Sequence, residues 1–258
     1  MMTSIRLKEF IGFNLLRFCM AAVVSVLLII LYDICSKGIG PISWKFLTSS
    51  PKVGMTEGGI LPAIIGTLVV TVITALLSIP LGVGCAIYIA EIAPLKIKEI
   101  LKAGIELLAA IPSVVLGFIG MVTLVPLVKN IFHLPTGLTA LSGSIMLAFM
   151  AMPTIVSIAE DALYSVPRNY KEGALALGAT HWQTIWRVML PAASSGILAA
   201  VMLGIGRVIG ETMAVMMITG NAAVIPHSIL APVRTLTATI AAEMGEAVVG
   251  SEHYFALF

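Results

Sequence analysis

Charged residues are scarce in this chain. Asp, Glu, Lys and Arg make up only 11% of its 258 residues, whereas soluble globular domains carry about 25%. The net charge is +2 with no concentrated basic run, so the sequence gives no indication of nucleic-acid binding. Hydrophobic residues account for 59% of the chain, and the mean hydropathy is +1.07. Because a soluble domain does not tolerate this composition on its surface, we expect a membrane protein in contact with lipid.

Cysteine and histidine are also rare. Cys19, Cys35 and Cys85 lie in or beside apolar segments, and no paired spacing indicates a disulfide framework or a metal site. The four histidines fall in different loops, at His133, His181, His227 and His253. The chain has neither a GxxxxGK[ST] phosphate-binding loop nor a long hydrophilic stretch. We therefore predict that it is not an enzyme and binds no metal or cofactor; any ATP is bound by another subunit.

Long apolar runs dominate the sequence instead. Crossing ~30 Å of hydrocarbon takes about 20 mainly apolar residues. Five windows reach that length, at residues 13–35, 60–90, 103–128, 138–163 and 188–219. The second and fifth windows exceed one crossing, so we expect them to tilt, or the second to break near Pro80. The sequence predicts an all-α, polytopic membrane helical bundle forming a single domain over residues 1–258.

Basic residues predict how the chain is oriented, because cytoplasmic loops retain Lys and Arg. With the N-terminus inside, the inner segments hold nine: Arg6, Lys8, Arg17, Lys96, Lys98, Lys102, Arg168, Lys171 and Arg187. The outer segments hold five: Lys37, Lys45, Lys52, Lys129 and Arg234. We therefore expect a multi-pass protein of the cytoplasmic membrane whose N-terminus is cytoplasmic. Arg234, in an outer loop, is expected to lie in solvent.

The first apolar window has a second interpretation. Basic residues precede it, and Cys35-Ser36 follows it as a candidate cleavage point, which is the layout of a cleaved signal peptide. The rest of the chain needs no separate export signal, because it spans the bilayer in any case. A retained first helix is therefore favoured.

A polar segment separates the last two apolar windows. Between Asp161 and Arg187, apolar side chains recur at intervals of three to four residues, at Ala174, Leu175, Leu177, Trp182 and Trp186. The pattern predicts a short amphipathic helix, a turn at Gly178, and a second short helix leading into Pro191. Such a helix can lie in a groove of a partner protein. Alternatively, it rests on lipid headgroups with the two tryptophans as anchors.

This segment resembles the signature loop of ABC importer permeases. It reads Glu172-Gly173-Ala174, three residues, Gly178, nine residues and Val188-Met189-Leu190-Pro191, against E-A-A, three residues, G, nine residues and I-x-L-P. Gly173 and Val188 depart mildly from the pattern. The resemblance implies the type I permease fold, with residues 164–187 as the loop that docks onto an ATPase subunit. It implies coupling roles for Glu172, Gly173, Ala174 and Gly178.

Two charged residues lie within the last apolar window. A charge at the bilayer centre costs ~2.5–3.5 kcal/mol on insertion scales, so Arg207 and Glu211 should face protein or a water-filled path. Four residues apart, they would share one helix face and could form a self-neutralising structural pair. Alternatively, the Arg207 guanidinium binds an oxyanion, and Glu211 holds it between substrates. Gly206 and Gly210 are predicted to form a close-packing helix face, since their spacing does not fit a dinucleotide-binding loop.

The run that contains these charges narrows the resemblance. Residues 204–215 read G-I-G-R-V-I-G-E-T-M-A-V, which is similar to the G-x-G-R-x-x-G-E-T-M-A-V run of phosphate importer permeases of the PstC type. Segments 235–241, 243–246 and 253–258 also resemble this family, and 58–91 does so more weakly. The resemblance places Arg207, Glu211 and Thr212 on the substrate path, with inorganic phosphate as substrate.

The resemblance also implies partners and a mechanism. The partners are a second permease of the PstA type, two ATPase subunits of the PstB type that bind ATP, and an extracytoplasmic phosphate-binding protein of the PstS type. Transport is expected to proceed by alternating access. Two alternatives stay open: an ABC permease for sulfate or molybdate, and a channel or secondary transporter without an ATPase. The family continues beyond residue 258, so we expect five complete transmembrane helices, the start of a sixth, and truncation before the last helix.

Overall fold

A computed structural model describes residues 2–52 and 58–258, and side chains from residue 10 onward in the first helix. Arg6 and Lys8, counted above for orientation, lie outside the described side chains. The helices, in chain order, are α1 Met2–Gly38, α2 Trp44–Thr48, α3 Leu61–Ile87, α4 Leu95–Ala110, α5 Ser113–Ile131, α6 Ala140–Tyr164, α7 Arg168–Ala176, α8 His181–Thr184, α9 Leu190–Ala192, α10 Ser194–Gly210, α11 Met213–Ile218, α12 Leu236–Glu243 and α13 Glu252–Ala256. Two π turns, Tyr88–Ile92 and Ile185–Met189, follow α3 and α8.

Helices in the described part of the chain match four of the five predicted crossings, and a bent pair of helices lies at the fifth. Among the described residues, four helices are long and apolar enough to cross a membrane alone: Phe10–Gly38, Leu61–Ile92, Ser113–Ile131 and Ala140–Tyr164. The pair His181–Ala192 and Ser194–Gly210, bent by 71°, makes a fifth if it is counted as one span. The all-α membrane bundle is therefore confirmed, while the start of a sixth crossing stays a prediction.

The third predicted window is divided in the structure. The helix that was expected over residues 103–128 ends at Ala110 and restarts at Ser113. Ile111 has an extended ψ of 128° because Pro112 follows it, and the residue before a proline disfavours the helical region. Of the two expectations for the second window, the break near Pro80 is wrong, since α3 continues through Pro80. A proline is tolerated inside a membrane helix when neighbouring groups satisfy the freed carbonyl.

Helix α6 lies at the centre of the bundle. Its membrane window is 61% buried, against 22% for the windows in α3 and α5 and 0% for the window in α1. Ile155 of α6 is fully buried, and glycines on two neighbouring helices lie against it. A Cβ at Gly82 of α3 would come within 2.8 Å of Ile155, and one at Gly204 of α10 within 2.4 Å. These glycines let α3 and α10 approach α6 closely, as small residues do in membrane helix packing.

The contacts along α6 fix the direction of its neighbours. Helix α3 runs parallel to α6, since Thr74 donates to the Ser144 carbonyl near the start of α6 and Ile87 clusters with Leu163 near its end. Helix α10 runs antiparallel, because Gly196 lies against Ala162 and Gly204 against Ile155. We call the end of the bundle that carries α7 the coupling end, and the opposite end, where α6 begins, the far end.

Candidate functional site

Arg207 lies beside the middle of α6. It follows Gly204 by almost one turn of α10, and its Nη1 donates a hydrogen bond to Thr154 Oγ1 at 3.4 Å. Thr154 is near the midpoint of α6 and directly follows Pro153. Arg207 is exposed in the isolated chain, although the same helix packs closely through Gly204. The Arg207 guanidinium therefore lies at mid-depth of the bundle, on a face of α10 that the chain's own helices do not cover.

Glu211 does not pair with Arg207 as one helix face would require. Helix α10 ends at Gly210, and Glu211 has a ψ of 131°, which takes the chain out of the helix. Its Oε1 accepts a hydrogen bond from Ala214 N at 3.3 Å, so it caps the first turn of α11. Both residues belong to the described chain, and the structure contains no ion pair between them. The prediction of a self-neutralising pair within one helix is therefore wrong.

Threonines satisfy the backbone where α10 and α11 separate. Thr212 Oγ1 donates to the Gly210 carbonyl at 3.3 Å, and Thr237 Oγ1 donates to the Glu211 carbonyl at 2.8 Å. Non-helical backbone at membrane depth needs such partners. The structure thus brings Arg207, Glu211 and Thr212 together at one helix break.

Sequence reasoning missed two residues at this break, Thr154 and Thr237. Thr154 directly follows Pro153 within the fourth apolar window, and no sequence motif singles it out. Thr237 belongs to a segment of family resemblance to which no role had been given. The contacts that bring them to Arg207 and Glu211 span 53 and 26 positions in the sequence, so local spacing carries no signal for either.

The close-packing glycine is Gly204 rather than Gly206 or Gly210. A Cβ added at either of the latter would meet no atom within 4 Å in the described part of the chain. The predicted packing face of Gly206 and Gly210 is therefore not formed with this chain's own helices. Because this face of α10 is uncovered, the surface around Arg207 is accessible to another subunit or to water.

The predicted coupling loop is confirmed as a helix, a glycine turn and a second helix. Gly178 follows α7 with a φ of +84°, a conformation that favours glycine. Gly178 N donates to the Leu175 carbonyl at 3.0 Å, and Ala179 N donates to the Ala174 carbonyl at 3.1 Å, which together form a Schellman cap. Thr180 and Gln183 then form a capping box at the start of α8. These two caps fix the angle between the helices.

The coupling loop is exposed at the coupling end. Glu172, Gly173 and Gly178 are exposed and Ala174 is half-buried, while Leu177 is 92% exposed at the tip. Trp182 and Trp186 are also exposed, with ring centroids 5.7 Å apart in an edge-to-face arrangement. An apolar tip of this kind suits either a partner groove or the lipid interface.

Arg234 is not in solvent, contrary to expectation. It is only 8% exposed, its Nε donates to Asn221 Oδ1 at 2.8 Å, and its Nη1 pairs with Glu243. His253 Nε2 lies 3.4 Å from the other oxygen of Glu243. The cause is the fold of the chain after α11, which returns to α3 and encloses these groups. Arg234 therefore holds the far end together.

Comparison with known proteins identifies the family. The sequence model described as "Binding-protein-dependent transport system inner membrane component" matches residues 78–244. The chain belongs to this family. The match runs from the end of α3 through α12, so the family region of this inner membrane component includes both the Arg207 site and the predicted coupling loop. It is a multi-pass membrane protein.

Individual relatives of this inner membrane component support the same family assignment. A probable ABC transporter permease protein of Bacillus subtilis, YqgH, is 45% identical over 217 residues, covering 83% of this chain and 70% of that protein. The phosphate transport system permease protein PstC of Mesorhizobium japonicum is 37% identical over 232 residues, which cover 82% of this chain and 71% of that protein. A chain of the MetNI methionine ABC transporter superposes with a TM-score of 0.60 at 20% identity, covering 77% of this chain and 85% of that one. The predicted type I permease fold and the resemblance to PstC-type permeases are confirmed.

Proposed function

We propose that this chain is a permease subunit of an ATP-driven phosphate importer and forms half of the phosphate path. The observation that carries the proposal is Arg207, a guanidinium held at mid-depth of the bundle on a face that the chain leaves open. An intramembrane cation of this kind faces a partner or a water-filled path. The phosphate-transport names of relatives such as the Mesorhizobium permease support phosphate over sulfate or molybdate.

The site residues have distinct roles in this proposal. A guanidinium presents its donors in a planar fork that matches the oxygens of a phosphate, so Arg207 binds the anion. Thr154, which bonds to Arg207, and Thr212, at the helix break, supply hydroxyl groups. Glu211 belongs to the same path in this proposal, because its carboxylate caps α11 through the Ala214 amide and so fixes the helix break that follows Arg207.

Coupling is assigned to the exposed loop. Glu172, Gly173, Ala174 and Gly178 present α7 and its glycine turn to an ATPase subunit of the PstB type, where ATP is bound and hydrolysed. The chain carries out no covalent chemistry. The other partners are a PstA-type permease, which completes the path, and an extracytoplasmic PstS-type phosphate-binding protein. The N-terminus and the coupling end are cytoplasmic, as the basic residues favour.

Alternating access follows from this arrangement. The binding protein delivers phosphate to the far end, and closure of the two ATPase subunits on ATP displaces α7 and opens the Arg207 face outward. When the ATPase subunits separate after hydrolysis, the helix break at Glu211 exposes the Arg207 face toward the cytoplasm. A ligand shifts such an equilibrium only by its differential affinity for the two states, so ATP must favour the outward-open state.

Competition between anions tests the substrate. The complete transporter, with its partner subunits, is reconstituted into vesicles, and labelled phosphate uptake is measured at limiting phosphate with excess sulfate or molybdate. Uptake that requires ATP and persists in excess sulfate and molybdate is expected. Uptake that either competitor abolishes would assign the path to that anion instead, and uptake without ATP would point to a channel or secondary transporter.

A further inference from the structure

Glu91 and Lys171 join the end of the α3 span to the coupling helix α7. Lys171 Nζ lies 2.5 Å from Glu91 Oε2, although the two residues are 80 positions apart. The Glu91 side chain is only 7% exposed, and that of Lys171 is 33% exposed. Within the described residues, this is the one ion pair between α7 and a membrane-spanning helix.

The first π turn brings Glu91 to this position. Buried residues of α3 recur every four positions, at Val70, Thr74, Ser78, Gly82 and Ala86. An uninterrupted α-helix would place Ala90 next on that face. The π turn Tyr88–Ile92 closes with Ala93 N donating to the Tyr88 carbonyl at 2.8 Å, which adds one residue to the last turn of the span. Ala90 packs against the bundle, and the side chain of Glu91 beside it is enclosed as well.

Little else holds α7 against the bundle. None of the residues of α7 is buried. A cavity of about 390 Å³ lies between α7, the end of α3 and the end of α6, and both Glu91 and Lys171 line it. The ion pair therefore joins the two elements across the wall of this cavity. Losing either charge would leave the other partner without its counter-ion, and the cost is large for a carboxylate as enclosed as Glu91.

We propose that the Glu91–Lys171 ion pair is the positioning contact through which movement of α7 reaches α3. From α3 the displacement passes to Ile155, against which Gly82 packs, and Gly204 of α10 packs on the same side chain. Arg207 lies just beyond Gly204. The pair thus links the docking helix to the anion site through rigid contacts. This inference rests on the proposed function, because it takes α7 as the element that docks on the ATPase.

Charge reversal tests the pair. The variants Glu91→Lys, Lys171→Glu and the double reversal are compared in the reconstituted transporter by the ratio of anion transported to ATP hydrolysed. Each single change is expected to lower this ratio by about tenfold or more, and the double reversal to restore it to within about threefold of wild type. Lys96→Glu, at an exposed lysine near the same end, is the matched control and should leave the ratio unchanged. Where Glu91→Lys fails to reach the membrane, Glu91→Gln replaces it with the same expected loss.

A second readout is independent of the substrate. Leu175 lines the same cavity, so Leu175→Cys, in a chain whose Cys19, Cys35 and Cys85 are replaced by serine, reports how closely α7 is held through its rate of maleimide labelling in the assembled complex. Each single reversal should raise that rate about threefold or more, and the double reversal should restore it. If the transporter carries no phosphate, the proposed function fails while this labelling still tests the pair. The inference would be overturned if the labelling rate and the transport ratio change as much in the double reversal as in the single ones, or if the single reversals change neither.

Discussion

Arg207 donates a hydrogen bond to Thr154, 3.4 Å away, while Glu211 caps the helix that follows. The guanidinium has five N–H donors, so most of its capacity remains for an anion. The Thr154 hydroxyl accepts from Arg207 and still has its own proton to donate. The break between α10 and α11 thus presents a cation and a hydroxyl donor to the same opening at mid-depth.

Replacing Thr154 with valine should weaken phosphate binding without preventing assembly. Valine keeps the shape but removes the partner of Arg207 and the second donor. Because the hydrogen bond is long, we expect the KM for uptake to rise by about 3- to 10-fold, which is the range of an ordinary hydrogen bond and below that of bonds to charged groups. Uptake measured against phosphate concentration checks this. Thr154→Ser should retain the wild-type KM. Ser157→Ala, at an exposed position on the same helix, serves as the control. An unchanged KM in Thr154→Val would show that Thr154 is not part of the site.

Alanine at Gly204 should destabilise the bundle, whereas alanine at Gly206 should not. A Cβ at Gly204 would approach Ile155 to 2.4 Å, and overpacking of this kind typically costs about 1–3 kcal/mol. Gly206 has nothing within 4 Å in the described chain, so Gly206→Ala gains helix propensity of up to about 1 kcal/mol. Thermal unfolding of the detergent-purified subunit distinguishes the two. Equal midpoints would mean that α10 does not pack on α6 through Gly204.

Substituting Gly178 should uncouple transport but spare membrane insertion. Its φ of +84° costs a β-branched residue more than the ~1–2 kcal/mol typical of non-glycine residues, so Gly178→Val should disrupt the Schellman cap and reorient α7. We expect uptake to fall while the protein remains in the membrane, and Gly178→Asn to retain most uptake. Asn169→Ala, at an exposed position of α7 with no assigned coupling role, is the control and should be neutral. Normal uptake in Gly178→Val would favour a transporter that needs no ATPase.

Removing the Glu160 carboxylate should destabilise the coupling end. Glu160 is 2% exposed, with Lys102 Nζ at 3.0 Å and Lys98 Nζ at 3.8 Å, so it ties α4 to α6. Because the two lysines are partly exposed, we expect Glu160→Gln to cost about 1–3 kcal/mol, less than breaking a fully buried pair. Denaturation of the purified subunit measures this loss. Asp161→Asn, at the neighbouring exposed residue, is the control. An equal loss of stability in Asp161→Asn would show that burial of the Glu160 carboxylate is not the cause.

Local sequence patterns predicted the parts of the fold that depend on local physics. The apolar windows predicted the spans, and the spacing around Gly178 predicted the coupling loop, because hydrophobic periodicity and a glycine cap are properties of neighbouring residues. The division at Pro112 was missed, although the residue before a proline disfavours the helix. The continuation of α3 through Pro80 could not be predicted, since it depends on the groups that pack against the helix there.

The candidate site was only partly predictable for the same reason. Hydropathy marked Arg207 and Glu211 as unusual charges, but their i, i+4 spacing suggested an ion pair that the end of α10 prevents. Thr154 comes from a helix 53 positions away, and the burial of Arg234 depends on how the chain returns after α11. These contacts arise from tertiary structure, which the sequence spacing does not contain.

Phosphate uptake by the Arg207→Ala transporter tests the central claim most directly. Wild type and Arg207→Ala are compared at limiting phosphate, with Met202→Ala at an exposed apolar position of the same helix as the control and the amount of each permease in the membrane measured in parallel. The account predicts that Arg207→Ala reaches the membrane at wild-type levels and loses uptake, while Met202→Ala transports normally. Wild-type uptake by Arg207→Ala would contradict it and would leave Arg207 with a structural role only.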